Sequence, residues 1–335
     1  MNQASSGHRL VPADLIVTFV GRDLTGDGVM KLPFLRVLRG AYPCARILWV
    51  AAGRSVFATT LRPLTETLVD EVIEDTGIGR SWRDILRPRF ALPRADLLLD
   101  TQRHVLTSLA LRRYGARVFV SAAAGWRLSA RRPADRNKPA SMLAQMLRLI
   151  EVCGVVPALA DLPPLTLPAN LGAEAARRLP AGRPLIGLAP GAGGRHKCWP
   201  LARFLALGKA LSAREFRPVV LLGPDEQDWR AQVEEELPEA LLPIGATDSP
   251  LMTMALARRL AVAVANDSGA GHLLAAAGTR LVSLFGPTAA EKFAPAAPGL
   301  IIIRAQDFGS AEMTAIPVST VLERVLEALS PDLAR

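Results

Sequence analysis

The stretch Asn266-Asp267-Ser268-Gly269-Ala270-Gly271-His272 constrains this chain more than any other. It stands between an apolar run at 260–265 and another at 281–285, with a short helix-like segment, 273–278, on the way. Two buried strands joined through a small-residue turn and a helix read as a βαβ unit, which puts the turn at the carboxyl edge of a parallel sheet. A helix N-terminus there offers unpaired N–H groups and the positive end of a dipole, and both attract phosphate. Glycines at 269 and 271 let a ligand approach the backbone. A carboxylate repels phosphate, so Asp267 suits sugar hydroxyls instead. A sugar beside a diphosphate is the chemistry of a nucleotide sugar. Asp267 and Ser268 are also ordinary helix N-cap residues, and the two readings are compatible.

The same alternation runs through the chain. Strand-like runs at 15–20, 46–51, 70–73, 95–100 and 117–121 are interleaved with helix-like segments at 32–41, 105–114 and 141–153. A Pro- and Leu-rich stretch at 156–168 follows. A second series then begins, with strands at 185–189, 218–222 and 300–303 and helices at 201–213, 227–236 and 252–259. Alternation of this kind gives a parallel sheet wrapped by helices. The expected class is therefore α/β, with two Rossmann-like domains whose parallel sheets face a cleft, where open α/β sheets bind ligands. The boundaries are drawn at 1–165 for the first domain, 166–184 for a linker, 185–316 for the second domain and 317–335 for a terminal helix. That last helix carries apolar residues at 321, 322, 325, 326 and 329, spacing that marks one face.

A length of 335 residues suits two domains. No apolar run approaches the ~18–20 residues that span a bilayer. Residues 1–12 are polar, so no secretory leader is expected. Cys44, Cys153 and Cys198 are scattered, which excludes a disulfide framework or a zinc knuckle and fits a reducing cytoplasm. Charge is one-sided. Residues 1–170 hold 23 Lys+Arg against 14 Asp+Glu, a net +9, while 171–335 hold 17 of each. Much of the excess lies between Arg80 and Lys138, with the cluster Arg127, Arg131, Arg132, Arg136 and Lys138. The first half is thus expected to meet something acidic. An Arg-rich composition, in which only five of the 40 cations are Lys, explains abundance but not the asymmetry. Nucleic acid is the weakest candidate partner: there are two Tyr, no recognisable motif and no aromatic interleaving.

Four further places carry possible chemistry. Asp27, in Gly26-Asp27-Gly28 after the first strand, is placed either to take a proton from a substrate hydroxyl or to cap the next helix. In Pro190-Gly191-Ala192-Gly193-Gly194-Arg195-His196-Lys197-Cys198-Trp199-Pro200 the glycines, Gly193 among them, expose N–H groups and Lys197 supplies a point charge for a diphosphate. That run is neither a P-loop nor a dinucleotide fingerprint, since His196 stands where each pattern needs glycine. Asp225 or Glu226, in Gly223-Pro224-Asp225-Glu226, can pair with ribose hydroxyls or simply begin a helix. His272 is either structural or part of the turn's function. No D-x-D pair, H-x-x-x-H or Cys/His set occurs, so neither a catalytic metal nor any other cofactor is expected.

Together these residues resemble glycosyltransferase family nine, the heptosyltransferases of lipopolysaccharide core synthesis. Gly26-Asp27 with Pro33, Leu38, Tyr42-Pro43 and Ile47 is similar to the family's opening. Lys197-x-Trp199-Pro200-x-x-x-Phe204, Gly223-Pro224-Asp225-Glu226, Asp267-Ser268-Gly269-x-x-His272, Leu284-Phe285-Gly286-Pro287-Thr288 and Lys292-Phe293-x-Pro295 are similar to its second half. The resemblance implies a GT-B fold whose terminal helix packs back on the first domain. It also implies inverting, metal-free transfer of heptose from an ADP-sugar. By motif position Asp27 resembles the catalytic base, Lys197 the diphosphate contact, Asp225 or Glu226 the ribose contact, and Asp267 to Gly269 the donor cradle.

Two departures bear on the donor. Ala192 and Gly193 replace the hydroxyl residues often found ahead of the lysine, and Arg22-Asp23-Leu24-Thr25 replaces a small, Ser-rich segment. The same fold with another nucleotide sugar, or an inactive sugar-binding homologue, are the alternatives. The basic first half, with Arg127, Arg131, Arg132, Arg136 and Lys138 as a mobile clamp, suits an acidic lipid-linked saccharide acceptor. It also suits peripheral contact with the anionic cytoplasmic face of the inner membrane.

Overall fold

The computed structural model describes residues 9–86, 90–297 and 299–329. Residues 1–8, on which the expectation of no secretory leader rests, and Arg87 and Arg89 of the basic stretch lie outside the described residues. The chain forms two compact units, Met1–Pro163 and Pro164–Arg335.

The first unit contains β1 (Leu15–Val20), α1 (Thr25–Ala41), β2 (Arg46–Ala51), the one-turn α2 (Arg62–Thr65), β3 (Glu71–Ile73), the one-turn α3 (Arg83–Leu86), β4 (Ala95–Asp100), α4 (Val105–Arg112), β5 (Ala116–Ser121) and α5 (Met142–Glu151). Its sheet is wholly parallel, in the order β3-β2-β1-β4-β5. Strands covered on both faces need continuous apolar runs rather than alternation. Accordingly 16–20 and 47–51 are buried throughout, Thr18 being the one polar side chain among them. Strand order reverses between β1 and β4, where Phe19 pairs with Asp100.

Helix α1 begins at Thr25, seven residues before the expected start. Gly26 and Gly28 are poor helix formers, and Pro33 lies inside the element, so local preference hides its first two turns. Packing overrides that preference. A Cβ on Gly28 would fall 2.5 Å from Val56 Cγ2, so glycine lets the helix start lie against the loop after β2. Asp27 consequently sits in the first turn, where the helix dipole favours a carboxylate.

The second unit contains α6 (Ala169–Arg178), β6 (Leu185–Ala189), α7 (Leu201–Ser212), β7 (Arg217–Val220), α8 (Arg230–Glu236), α9 (Pro250–Ala257), β8 (Val262–Asn266), α10 (Gly269–Ala276), β9 (Leu281–Phe285), the one-turn α11 (Ala290–Phe293), β10 (Ile301–Arg304) and α12 (Val318–Ala328). Its sheet is also parallel, in the order β10-β9-β8-β6-β7, and reverses between β6 and β8. Trp199, Phe204 and Leu207 form the core on one face, Leu256, Leu260 and Leu274 on the other.

Two boundaries differ from expectation. The 166–184 segment is more than a linker: it holds α6, whose Ala175 is buried with Leu179 against Leu256 and Leu260. Pro168 ahead of it and Gly172 within it masked the helix in the sequence. The terminal helix, expected to return to the first domain, is built into the second unit. Val321, Val325 and Leu329 are buried in the core with Trp199 and Ile316, because α7, β9 and β10 present apolar surface to that stripe.

Candidate active site

The β6/β8 reversal gathers the predicted residues of the second half. Asn266, fully buried at the end of β8, ties two loops together. Its Oδ1 accepts from the Trp199 backbone N–H at 3.0 Å, and its Nδ2 donates to the Pro190 carbonyl at 2.7 Å. The Asp267 N–H continues the ladder to the Leu284 carbonyl at 2.9 Å. Ser268 caps α10, its Oγ accepting from the Gly271 N–H at 3.3 Å. The cap is thus Ser268, and the half-exposed Asp267 carboxylate has no hydrogen-bond or ion-pair partner among the described residues. Gly269 opens α10 beside it, and His272 is buried on the inner side of that helix.

Lys197 ends the 3₁₀ turn Arg195–Lys197 and is half-buried. Its amine has no partner among the described residues. Arg195 is committed elsewhere: it pairs with Asp228 at 2.9 Å and its guanidinium carbon stacks 4.1 Å above the Trp229 ring. A free cation and a paired one, two residues apart, separate the diphosphate candidate from a structural arginine.

The structure also divides Asp225 from Glu226. Asp225 is exposed, whereas Glu226 is buried against the loop after β6. A Cβ on Gly191 would lie 2.4 Å from Glu226 Cδ, and one on Gly223 2.6 Å from its Oε2. Burial, followed by the neighbouring Asp225 charge, raises the Glu226 carboxyl above its usual range. Gly193, by contrast, faces open space, and Gly191 is the glycine that the packing requires. A cavity of about 560 Å³ nearby is lined by Cys198, Trp229, Pro287 and Met313, and holds none of Lys197, Glu226 or Asp267.

In the first unit Asp27 is exposed at the carboxyl edge of the sheet, without a partner among the described residues. Four residues earlier, Asp23 is buried. It accepts from Trp49 Nε1 and Ser55 Oγ, each at 2.8 Å, and forms an ion pair with Lys31. Asp100, at the end of β4, is also buried. Its carboxylate accepts from Ser121 Oγ and the Gln102 N–H, each at 2.9 Å, and burial raises its titration above the usual range. Gln102 in turn touches the loop after β1, where a Cβ on Gly21 would sit 2.6 Å from its Oε1. Asp75, Arg103, Ala124 and Trp126 have positive φ, and all four lie on loops at this edge. Such concentrated backbone strain marks functional edges.

The basic cluster is not a free loop along its whole length. Residues 127–132 run beside β5, with the Ala130 N–H donating to the Phe119 carbonyl at 2.8 Å and Arg132 donating to the Arg127 carbonyl at 3.3 Å. Arg127 and Arg132 line a cavity of about 390 Å³ with Arg112 and Arg117. Arg131 is half-buried, and Arg136 and Lys138 are exposed beyond it. The sequence assigns no role of their own to Asp23, Asp100 and Asn266, because nothing in their spacing distinguishes a buried acid or amide from an exposed one.

The family model described as glycosyltransferase family 9 (heptosyltransferase) matches residues 87–316. The chain belongs to that family. It is a heptosyltransferase-type glycosyltransferase. The matched range contains the whole second-half set and the basic cluster, while Asp27 lies ahead of it. Over 128 residues the chain is 31% identical to lipooligosaccharide heptosyltransferase 2 of Haemophilus influenzae, a match spanning 36% of this chain and 37% of that protein. The fold is that of a glycosyl transferase family 9 protein from Veillonella parvula, with a TM-score of 0.73 at 19% identity over 94% of this chain and 97% of that one. It is likewise that of the E. coli ADP-heptose lps heptosyltransferase II, with a TM-score of 0.66 at 20% identity over 94% and 98%. An E. coli heptosyltransferase solved with ADP gives 0.63 at 17% identity over 94% and 99%.

Proposed function

We propose that this glycosyltransferase moves heptose from ADP-heptose to an acidic inner-core lipopolysaccharide acceptor, with inversion and without a metal or other cofactor. The observation that carries the reading is the loop cluster at the β6/β8 reversal. There Lys197 and Asp267 are both unpaired, Glu226 is buried against Gly191, and α10 opens beside them. In this reading Glu226 holds the ribose hydroxyls, and Asp267 holds the donor sugar. Lys197 and the α10 N-terminus take up charge as the ADP leaving group forms, an electrostatic contribution set in place before reaction. Asp27 removes the acceptor hydroxyl's proton while that oxygen attacks the anomeric carbon.

The relatives named above, one solved with ADP and one an ADP-heptose enzyme, support the donor. The arginine-lined cavity supports an anionic acceptor. No helix among the described residues is long and apolar enough to cross a membrane. We place the enzyme in the cytoplasm, with peripheral contact at the inner membrane through its basic first unit. ADP release with ADP-heptose and a heptose-deficient core acceptor tests the reaction. Thermal shifts with ADP-, UDP- and GDP-sugars test the donor, and a larger shift with UDP or GDP would reassign it. Asp27→Asn should keep donor affinity and lower turnover by about 10²-fold or more. Full turnover in that variant removes Asp27 from its role.

A further inference from the structure

We infer that Asp23 is a positioning residue that keeps Lys31 away from Asp27, leaving the proposed base unpaired. The inference rests on the reading of Asp27 as base. Asp27 and Lys31 stand four apart in α1, acid before base, which is the favourable order for an ion pair on a helix surface. That pair is not formed. Lys31 turns instead to Asp23, in the loop before the helix.

Burial decides between the two carboxylates. The Asp23 side chain is 0% exposed and the Lys31 side chain 13%, whereas Asp27 is exposed. An exposed pair gains little over hydration, but a buried carboxylate without a cation loses its solvent and receives nothing in return. Trp49 Nε1 and Ser55 Oγ fix Asp23 from β2 and the loop after it, so the carboxylate cannot follow Lys31 outward. The Asp23 N–H also donates to the Arg54 carbonyl at 3.0 Å, which anchors the backbone. The other charged groups on loops at this edge include Arg22, Arg54, Glu74, Asp75, Arg80, Arg103 and His104, and none pairs with Asp27. Lys31 is the one cation on α1 within a turn of Asp27, and its sequestration leaves the carboxylate free to accept a proton.

The test uses the full-length enzyme with two readouts: turnover, and titration of the Asp27 carboxyl carbon by ¹³C NMR. Asp23→Asn keeps the side-chain shape but releases Lys31. Turnover should fall about twofold, and the Asp27 midpoint should move down by about 0.2–0.4 of a pH unit as the i,i+4 pair forms. Lys31→Met in the Asp23→Asn background should restore both. A midpoint unmoved in Asp23→Asn, or a double variant that restores neither readout, overturns the inference. If Asp23→Asn does not fold, Lys31→Met alone decides: the Asp27 midpoint stays in place if the cation is already sequestered, and rises if the two were paired. The base assignment fails separately, through an active Asp27→Asn, while the NMR readout of Lys31 sequestration still stands.

Discussion

The Glu226 carboxylate occupies the space that a side chain on Gly191 would need, with the hypothetical Cβ only 2.4 Å from Glu226 Cδ. The loops after β6 and β7 are therefore fitted to each other through one acid and one missing methyl group. Gly191→Ala must displace Glu226, and overpacking of this kind costs about 1–3 kcal/mol. Urea denaturation should show that loss, together with weaker ADP binding. In a Glu226→Ala background the same substitution should be nearly silent, and a full-sized penalty there would mean that the clash lies elsewhere.

Glu226 also sets a pH dependence. Burial raises its folded titration above the ordinary 4.5, so its contribution to stability is complete below that value and is lost as pH rises through the raised one. Glu226→Gln removes the ionised form. The variant should unfold at a higher temperature than the parent near neutral pH, and the two should converge below about pH 4.5. If Glu226 holds the ribose, the same variant should bind ADP about tenfold more weakly, the scale of one charge-assisted hydrogen bond. Calorimetric unfolding across pH and ADP titration check the two halves independently.

Asn266 is the staple of the second site. Replacing it with alanine strands the Trp199 N–H and the Pro190 carbonyl in a dry interior, at about 1–3 kcal/mol for each group. Asn266→Ala should lower stability by about 2–6 kcal/mol. It should also weaken donor binding, because the loop carrying Lys197 loses its tie to β8. A variant with parental stability and donor affinity would show that water replaces the amide.

The sequence made the α/β class legible, because buried parallel strands write long apolar runs such as 15–20 and 281–285; the strand orders and their two reversal points are fixed by long-range pairing and are visible only in the structure. The glycine-rich turns after β6 and β8 were visible for the same reason: small residues and a lone acid interrupt that pattern. Side-chain burial was not visible. Asp23 and Asp27 stand four residues apart, with nothing local to show that one faces Trp49 and the other solvent. The start of α1 was hidden by Gly26, Gly28 and Pro33, whose poor helix preference is overridden by packing on Val56. Gly191 and Gly193 read alike, and only the position of Glu226 makes one of them obligatory.

The arginine cavity beside β5 yields the last expectation. Arg112, Arg117, Arg127 and Arg132 line it without a carboxylate among the lining residues; Arg117 alone has an acidic partner, Asp96 at 3.5 Å. Four cations around one recess repel each other, and an anionic ligand relieves that repulsion. Arg127→Glu combined with Arg132→Glu reverses the sign on one wall while leaving the β5 ladder alone. Capture of an anionic acceptor should fall about 10- to 100-fold in kcat/KM, with ADP affinity unchanged. Salt should slow the parent enzyme and barely affect the variant, since screening acts only on an attraction that exists. Initial rates at low and high ionic strength measure this directly. An equal salt response in both proteins would move acceptor recognition away from these arginines.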